Sequence, residues 1–557
     1  MAAMAQLDPI LVVGAGPSGL VLALVLAKSG VPVRIIEKSS TIPIGTRGSV
    51  LMPRTIEIYN LLGLHPQLSA SKGLKDPPMV IYNTPGGNEV LKTAPPMLKE
   101  LPKTPDIPFN APIFISQNIN QHILREELEK HGCKVEYNTE LISFQQDDNG
   151  LNAHVQRMSD GVSVAEDIRA SFLVGADGGK GSTADSEGMI VANATVKNLA
   201  EKVSHIWKTP TADGILPYDV EARKFLIAII GSSLSLEDKC SPEGVRDLLR
   251  TQIGRQDIAP NEYEWLSFFK PNIRMVERFS VGRVFLCGDA AHVHSPHGGQ
   301  GLNSSVQDSF NLAWKLVLVQ KGVSPLSLLE TYNEERLPVI TEMLRQVTGI
   351  HKDSSGEGGN LTLERGPHLM MMGINYRWSS IVLDDQFSSR DEREIEELKK
   401  HAYIVKDAVL RAGDRAPDTS DLLEVQRQDR HQTPATLFSL LLPDKHTVLI
   451  FIGNRSFSEG MRLKESLLDE STLSYHQEFI QVFLVGNLFP SAALEAPKMG
   501  TVCLFDSKAF AYQLYSASDA ESMKIIVIRP DGVIGAILRD AGGLRKYFSK
   551  MFSTAVE

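Results

Sequence analysis

Residues 9–37 constrain the fold of this chain more than any other stretch. Pro9–Val13 is a short apolar run, Gly14-Ala-Gly-Pro-Ser-Gly19 follows it, and Leu20–Lys28 has helical character. Gly30 ends that helix, and Val33–Ile36 is a second apolar run that closes on Glu37. Strand, tight turn, helix and strand in this order make a βαβ unit. The first glycine permits the turn, the second lets backbone approach a pyrophosphate, and the third permits close helix packing. Glu37 lies 23 residues beyond Gly14, where an acid suits a pair of ribose hydroxyls. This context predicts dinucleotide binding.

A second stretch carries complementary chemistry. Arg283-Val-Phe-Leu-Cys287 reads as a buried strand, residues 288–303 are GDAAHVHSPHGGQGLN, and Ser304–Leu316 is helical. A strand thus delivers Asp289 at its carboxyl end, and a Gly-rich bend leads into a helix N-terminus, where free N–H groups can meet an anion. Ile168–Val174 repeats the logic, ending in Gly175-Ala-Asp-Gly178. No second GxGxxG is present, so a second resident dinucleotide is not expected.

Composition excludes several classes. The net charge is −10 with no basic stripe, which argues against nucleic-acid binding. Cys133, Cys240, Cys287 and Cys503 are scattered without a CxxC, so neither a metal pattern nor a disulfide framework is expected, and a reducing, cytoplasmic setting is. His292, His294 and His297 share a loop with Pro296 at a spacing poor for ligation, so no metal is expected. The apolar run at 10–26 is interrupted by the glycine motif, so no transmembrane segment or signal peptide is expected.

Along the rest of the chain, Ile123–His131 reads as an amphipathic helix and Cys133–Tyr137 as a strand. Ser304–Thr348 reads as largely helical. Asp353–Gly359 reads as a linker. After about residue 405 the pattern changes, with strands expected at Thr447–Ile452, Phe479–Gly486 and Met523–Arg529.

GAGPSG, GADG and GDAAHVHSPHGGQGLNSSVQDSFNLAWKL, in this order, resemble the single-component FAD-dependent aromatic hydroxylases, of which the phenol 2-monooxygenase type is nearest and the para-hydroxybenzoate hydroxylase type more distant. The resemblance covers about residues 8–350 and extends to Arg47 in GTRGSVLMPRT and Gln117 in ISQN. Gly413-Asp-Arg-Ala-Pro-Asp418 and Arg529-Pro-Asp-Gly532 resemble the thioredoxin-like tail of the phenol-hydroxylase subgroup, without a redox CxxC.

The resemblance implies an α/β fold. It has a Rossmann-like FAD-binding domain at 1–405 with an interleaved β-sheet substrate domain (about 78–115 and 184–282) and a helical segment at 304–350. A thioredoxin-like α/β domain follows at 406–557. It implies FAD as cofactor, with Gly14, Gly16 and Gly19 at the pyrophosphate and Glu37 on the adenosine ribose. Arg47 and Gln117 are implied near the ribityl and phosphate region, and Asp289 on the ribityl or pyrophosphate side. Asp177 is implied near FAD and at the nicotinamide path. Pro296, Gly298, Gly301, Leu302 and Asn303 are implied at the isoalloxazine edge. NADPH, or NADH, is implied as a transient reductant.

The implied reaction inserts one atom of O2 into a phenolic or other aromatic substrate by way of a flavin C4a-hydroperoxide, in secondary metabolism. Epoxidation, Baeyer–Villiger oxygenation and flavin binding without turnover are the alternatives, and a homodimer is left open. Tyr218, Arg223 and His205 lie in the substrate-domain interval and are candidate partners for a phenol, though no family motif assigns them. The chain departs from the family after Thr183, where the usual Val-Arg pair and the residues beyond it are missing. The departure predicts either a tolerated deletion in a surface turn or weakened flavin retention.

Overall fold

The computed structural model describes residues 7–553 except 43–44, 46–47, 72, 76, 84–88, 97, 160, 180–187, 209–211, 220–222, 232–235, 270–272, 295–298, 356–366, 388–390, 405–408, 426–432, 469–473, 489–500 and 519–522. The GAGPSG unit forms as the pattern predicts. Strand Ile10–Val13 pairs in parallel with Val33–Ile36 on one side and with Phe172–Gly175 on the other. Phe172–Gly175 pairs in parallel with Val284–Leu286, and Ser280–Val281 and Val135–Glu136 close the two edges. Helix α1 (Pro17–Lys28) begins at Pro17, where a proline's missing N–H costs nothing. Its run Leu20–Leu26 is fully buried, because the sheet covers one side and two other helices cover the rest.

Helix α2 (Pro53–Leu61) follows the segment that leaves the second strand. Helix α3 (Gln117–Lys130) starts six residues earlier than the apolar periodicity indicates, because the Ser116 hydroxyl caps it by accepting from Ile119 N at 3.4 Å. The run expected as one strand at 168–174 is divided: Val162–Ala170 belongs to a separate three-stranded antiparallel sheet, and Phe172–Gly175 enters the central sheet.

The substrate-domain interval forms a seven-stranded sheet from residues 79–94 and 188–269. Its one helix, α4 (Pro242–Gln252), covers one face. The chain then returns to the central sheet and continues into α5 (Gly301–Gln320) and α6 (Glu330–Ser355). The expected linker at 353–359 begins inside α6, and residues 356–359 lie outside the described residues.

The C-terminal part forms a mixed seven-stranded sheet. Its strands His446–Phe451, Ile480–Gly486 and Thr501–Asp506 run parallel, and Lys524–Ile528 is antiparallel to the first of them. The sheet also takes in Leu383–Asp384, paired with Ile534–Leu538, so it reaches back past the expected start at 406. A single apolar core contains both Val12 and Ile534, so the first and last sheets share their packing. No described helix is long and apolar enough to cross a membrane.

Candidate flavin site

Parallel pairing brings four carboxyl strand ends to one edge of the central sheet. That edge carries Gly14, Glu37, Ala176-Asp177 and Gly288-Asp289. Backbone hydrogen bonds hold the ends level: Gly14 N donates to Ile36 O at 2.8 Å, Ala176 N to Val13 O at 2.8 Å, and Cys287 N to Gly175 O at 2.9 Å. In open α/β sheets this is the edge where ligands bind.

Gly14 has φ +104°, and a Cβ there would lie 2.4 Å from Ala176 O. A Cβ on Gly16 would meet nothing within 4 Å, which leaves open space over the turn. Helix α1 has no side-chain cap and no acid in its first turn, and the same holds for α5. Both helices therefore present uncapped N–H groups. Their first turns meet at Gly288, where a Cβ would lie 2.5 Å from Ser18 Oγ and 2.6 Å from Ser305 Oγ. Glu37 reaches across the turn, with one oxygen accepting from Ala15 N and the other from Ser39 N, each at 3.0 Å. A carboxylate has about four lone-pair sites, so it keeps acceptor capacity for hydroxyl donors. An open glycine cradle, uncapped helix starts and a half-exposed acid form a donor set that fits a dinucleotide.

Gln117 Oε1 accepts from Gly48 N at 3.2 Å and so holds the segment that contains Arg47; Arg47 itself lies outside the described residues, as do Pro296 and Gly298. Asp177 and Asp289 are exposed at the strand ends. A cavity of about 220 Å³ beside them is lined by Gly178, Gly179, Arg274, Asp289 and His292. Gly301 and Leu302 open α5. Asn303 is buried, and its side chain is committed to backbone: Oδ1 accepts from Met52 N at 2.8 Å, and Nδ2 donates to Val50 O and Gly299 O. It therefore staples the segment before α2 to the start of α5, and only its main chain is left to face a ligand.

The pleat divides the substrate sheet into two faces. Tyr82, Trp207, Ile215 and Ile227 lie with Val245 and Leu248 of α4 on one. His205 stands on this covered face, two residues before Trp207 and stacked on it. Tyr82 Oη donates to His205 Nδ1 at 2.8 Å, and Nε2 bonds Ala200 O at 2.9 Å. Both ring nitrogens are thus engaged, and burial lowers the imidazole's proton affinity. His205 is thereby set on the face opposite Asn193 and Trp265. Arg223 sits in a turn at φ +53°, exposed and paired with Glu201 at 2.6 Å. Tyr218 lies in strand Ala212–Asp219, and its side chain is outside the described residues.

The opposite face carries Val191, Asn193, Trp265 and Ser267, by the registers Asn193↔Trp265 and Val191↔Ser267. The Trp265 ring packs on Gly45, where a Cβ would lie 2.5 Å away. This is the face turned toward Gly45. Nothing in the local sequence marks Asn193 or Trp265; their position follows from strand register alone.

One buried residue was present in the sequence motif without an assigned role. Asp308 Oδ2 accepts from Gly288 N at 3.1 Å and from His292 Nε2 at 2.7 Å, and Oδ1 accepts from Arg336 Nε at 2.7 Å. Burial alone raises this carboxyl, but Arg336 and His292 outweigh it and hold the group below its usual range. Burial, reinforced by Asp308, pushes the Cys287 thiol up to about 12, so it stays protonated and unreactive. Among the described residues no cluster of His, Cys, Asp or Glu could hold a metal ion.

Comparison with known proteins agrees with this geometry. A family model described as FAD binding domain matches residues 8–347. A flavin-dependent monooxygenase of Mycobacteroides abscessus is 36% identical over 435 residues, spanning 73% of this chain and 83% of the relative. A rifampicin monooxygenase of Streptomyces venezuelae is 30% identical over 373 residues, spanning 64% of this chain and 74% of the relative. The solved structure of the flavin-dependent monooxygenase PieE, in complex with FAD and substrate, superposes with a TM-score of 0.74 at 20% identity, covering 99% of this chain and all of that one.

Proposed function

The chain belongs to the FAD-binding-domain family of flavin-dependent aromatic monooxygenases, and from that premise we propose that it hydroxylates a phenolic substrate in secondary metabolism at the expense of NAD(P)H. The balance is that NAD(P)H, H⁺, O2 and Ar–H give NAD(P)⁺, water and Ar–OH. FAD, when bound, supplies the redox chemistry, and the protein supplies binding, orientation and exclusion of water.

The observation that carries this reading is the convergence of Gly14, Glu37, Asp177 and Asp289 at one sheet edge with two uncapped helix starts. Gly14, Gly16, Gly19 and the α1 N–H groups would hold the pyrophosphate, and Glu37 the adenosine ribose. Asp289 would hold the ribityl side, with Gln117 fixing the segment that carries Arg47. The N-terminus of α5 at Gly301, Leu302 and Asn303, with Pro296 and Gly298 before it, would stabilise negative charge at the isoalloxazine edge. The Arg274 cation, in the cavity lined also by Gly178 and Gly179, favours docking of the reductant's phosphates there, which needs no second Rossmann unit. On the substrate side, the Trp265 indole offers an apolar wall. Within this reading the substrate sheet is interleaved in residues 1–405. The parallel strands flanked by antiparallel Lys524–Ile528 and Ile534–Leu538 support a thioredoxin-like C-terminal domain.

The test uses the purified chain. It should contain close to one FAD per protein, and a phenol panel should stimulate NAD(P)H oxidation with ¹⁸O from ¹⁸O2 in the product. Full FAD occupancy with no substrate-stimulated oxidation across the panel would identify a flavin-binding protein without turnover. A chain that takes up no FAD would overturn the reading.

A further inference from the structure

The two C-terminal motifs, GDRAPD at 413–418 and RPDG at 529–532, have no part in the reaction just described. Both reach into the FAD-binding domain. Arg529 makes a two-pronged pair with Glu335 of α6, at 2.6 and 3.0 Å, and also bonds Asp531. Glu335 accepts in addition from Asn311 at 2.7 Å and Lys315 at 2.9 Å, both on α5. The next residue on α6, Arg336, bonds Asp308, whose other oxygen holds Gly288 N and His292. Two charge pairs on adjacent residues of α6, Glu335 with Arg529 and Arg336 with Asp308, thus tie the RPDG loop and the Gly288-Asp289 turn to the same helix. The side chains of Arg529, Glu335, Arg336 and Asp308 are all 0% exposed.

The second motif acts on α2. Arg415 bonds Glu57 at 3.0 Å, Glu57 bonds Arg54 at 2.8 Å, and Arg54 donates to Asp531 O at 2.7 Å. Helices α2 and α5 are the two joined by Asn303, and each directly follows a segment expected to face the flavin. Buried ion pairs recover little net stability over apolar packing, but they fix geometry tightly. An apolar interface would have sufficed merely to attach a domain.

We infer that the C-terminal domain is a positioning element of the flavin site, with Arg529 and Arg415 as positioning residues that set the placement of α5 and α2. The inference rests on the proposed FAD site. Loosening either pair frees the Gly288-Asp289 turn or the segment before α2 without touching any residue that faces the cofactor.

The test compares full-length Arg529→Lys and Arg415→Lys with Leu484→Ala, a core substitution in the same domain away from both motifs. Apoprotein is titrated with FAD, and Kd, the visible flavin spectrum and apoprotein Tm are read. The expected result is a tenfold or greater rise in Kd and a changed flavin spectrum for both arginine variants. Leu484→Ala should stay within twofold of wild type in Kd despite an equal or larger fall in Tm. If Arg529→Lys does not fold, Arg415→Lys decides alone, since the Arg415 side chain keeps some exposure where that of Arg529 has none. Arginine variants that bind FAD within twofold of wild type, or a Leu484→Ala Kd that rises equally, would overturn the inference. A wild-type chain that binds no FAD overturns the functional reading and this one together.

Discussion

Gly14 shows how much a single position carries. Its φ of +104° and the 2.4 Å approach to Ala176 O leave no room for a side chain. Gly14→Ala is expected to cost about 1–3 kcal/mol from backbone conformation alone and to abolish FAD uptake, read by urea unfolding and flavin absorbance. His446 carries a different kind of information. It is fully buried, Trp314, Tyr547, Phe548 and Phe552 surround it, and neither ring nitrogen has a hydrogen-bond partner among the described residues. Burial, with Arg529 nearby, lowers its pKa to about 3. The unfolded chain takes up this proton near pH 6.5 while the folded chain does not, so stability falls as pH drops from 6.5 toward 3. His446→Leu should flatten that acid limb, seen as a smaller fall in Tm between pH 7 and pH 4 than in wild type. The placement of Gly14, Gly19 and Glu37 around one turn was legible because the motif fixes backbone geometry locally. That His205 faces α4 was not legible, because facing depends on register with strands far away in the chain.

Among elements, α5 was legible as a helix that follows a Gly-rich bend, but it runs from Gly301 to Gln320 where the apolar pattern indicates only 304–316. Its partners were not legible. The Asn303 side chain joins α5 to the segment before α2 through two bonds to backbone, at Met52 N and Val50 O, and a third holds Gly299 O. Asn303→Ala leaves those groups unpaired in the interior. At about 1 kcal/mol or more for each, the variant should lose about 3 kcal/mol in chemical denaturation and bind FAD more weakly. Helix α3 began earlier than its apolar period because Ser116 supplies a cap, a signal of one residue that periodicity does not weigh. The run at 168–174 divided because two sheets compete for it, and the order of strands in a sheet is decided by distant pairing.

For the molecule as a whole, the first and last sheets behave as one body. Truncation after residue 405 would remove Arg415, Arg529 and Asp531 and expose the shared core, so the shortened chain is expected to be insoluble or unfolded by circular dichroism and to retain no FAD. The same interface sets a pH dependence. Asp418 is nearly inaccessible; burial, with Glu57 adding to it, raises its carboxyl to about 7. The folded chain therefore holds a proton that the unfolded chain has released above pH 4, and stability is lost as pH rises toward 7 and beyond. Asp418→Asn keeps an oxygen to accept from Phe438 N and removes that titration. Its Tm should exceed wild type at pH 8, and the gap should close toward pH 4.

The order of residues by itself determined the βαβ unit, the three strand-end motifs, the family they resemble and the FAD they imply. Each of these rests on backbone geometry or on spacing within one short segment. Only the tertiary structure decided which face of the substrate sheet packs on Gly45, that Asn303 is a staple, and that GDRAPD and RPDG grip α2 and α6. Those facts depend on contacts between residues hundreds of positions apart, such as Arg54 with Asp531 and Glu335 with Arg529, and sequence spacing holds no record of such pairs.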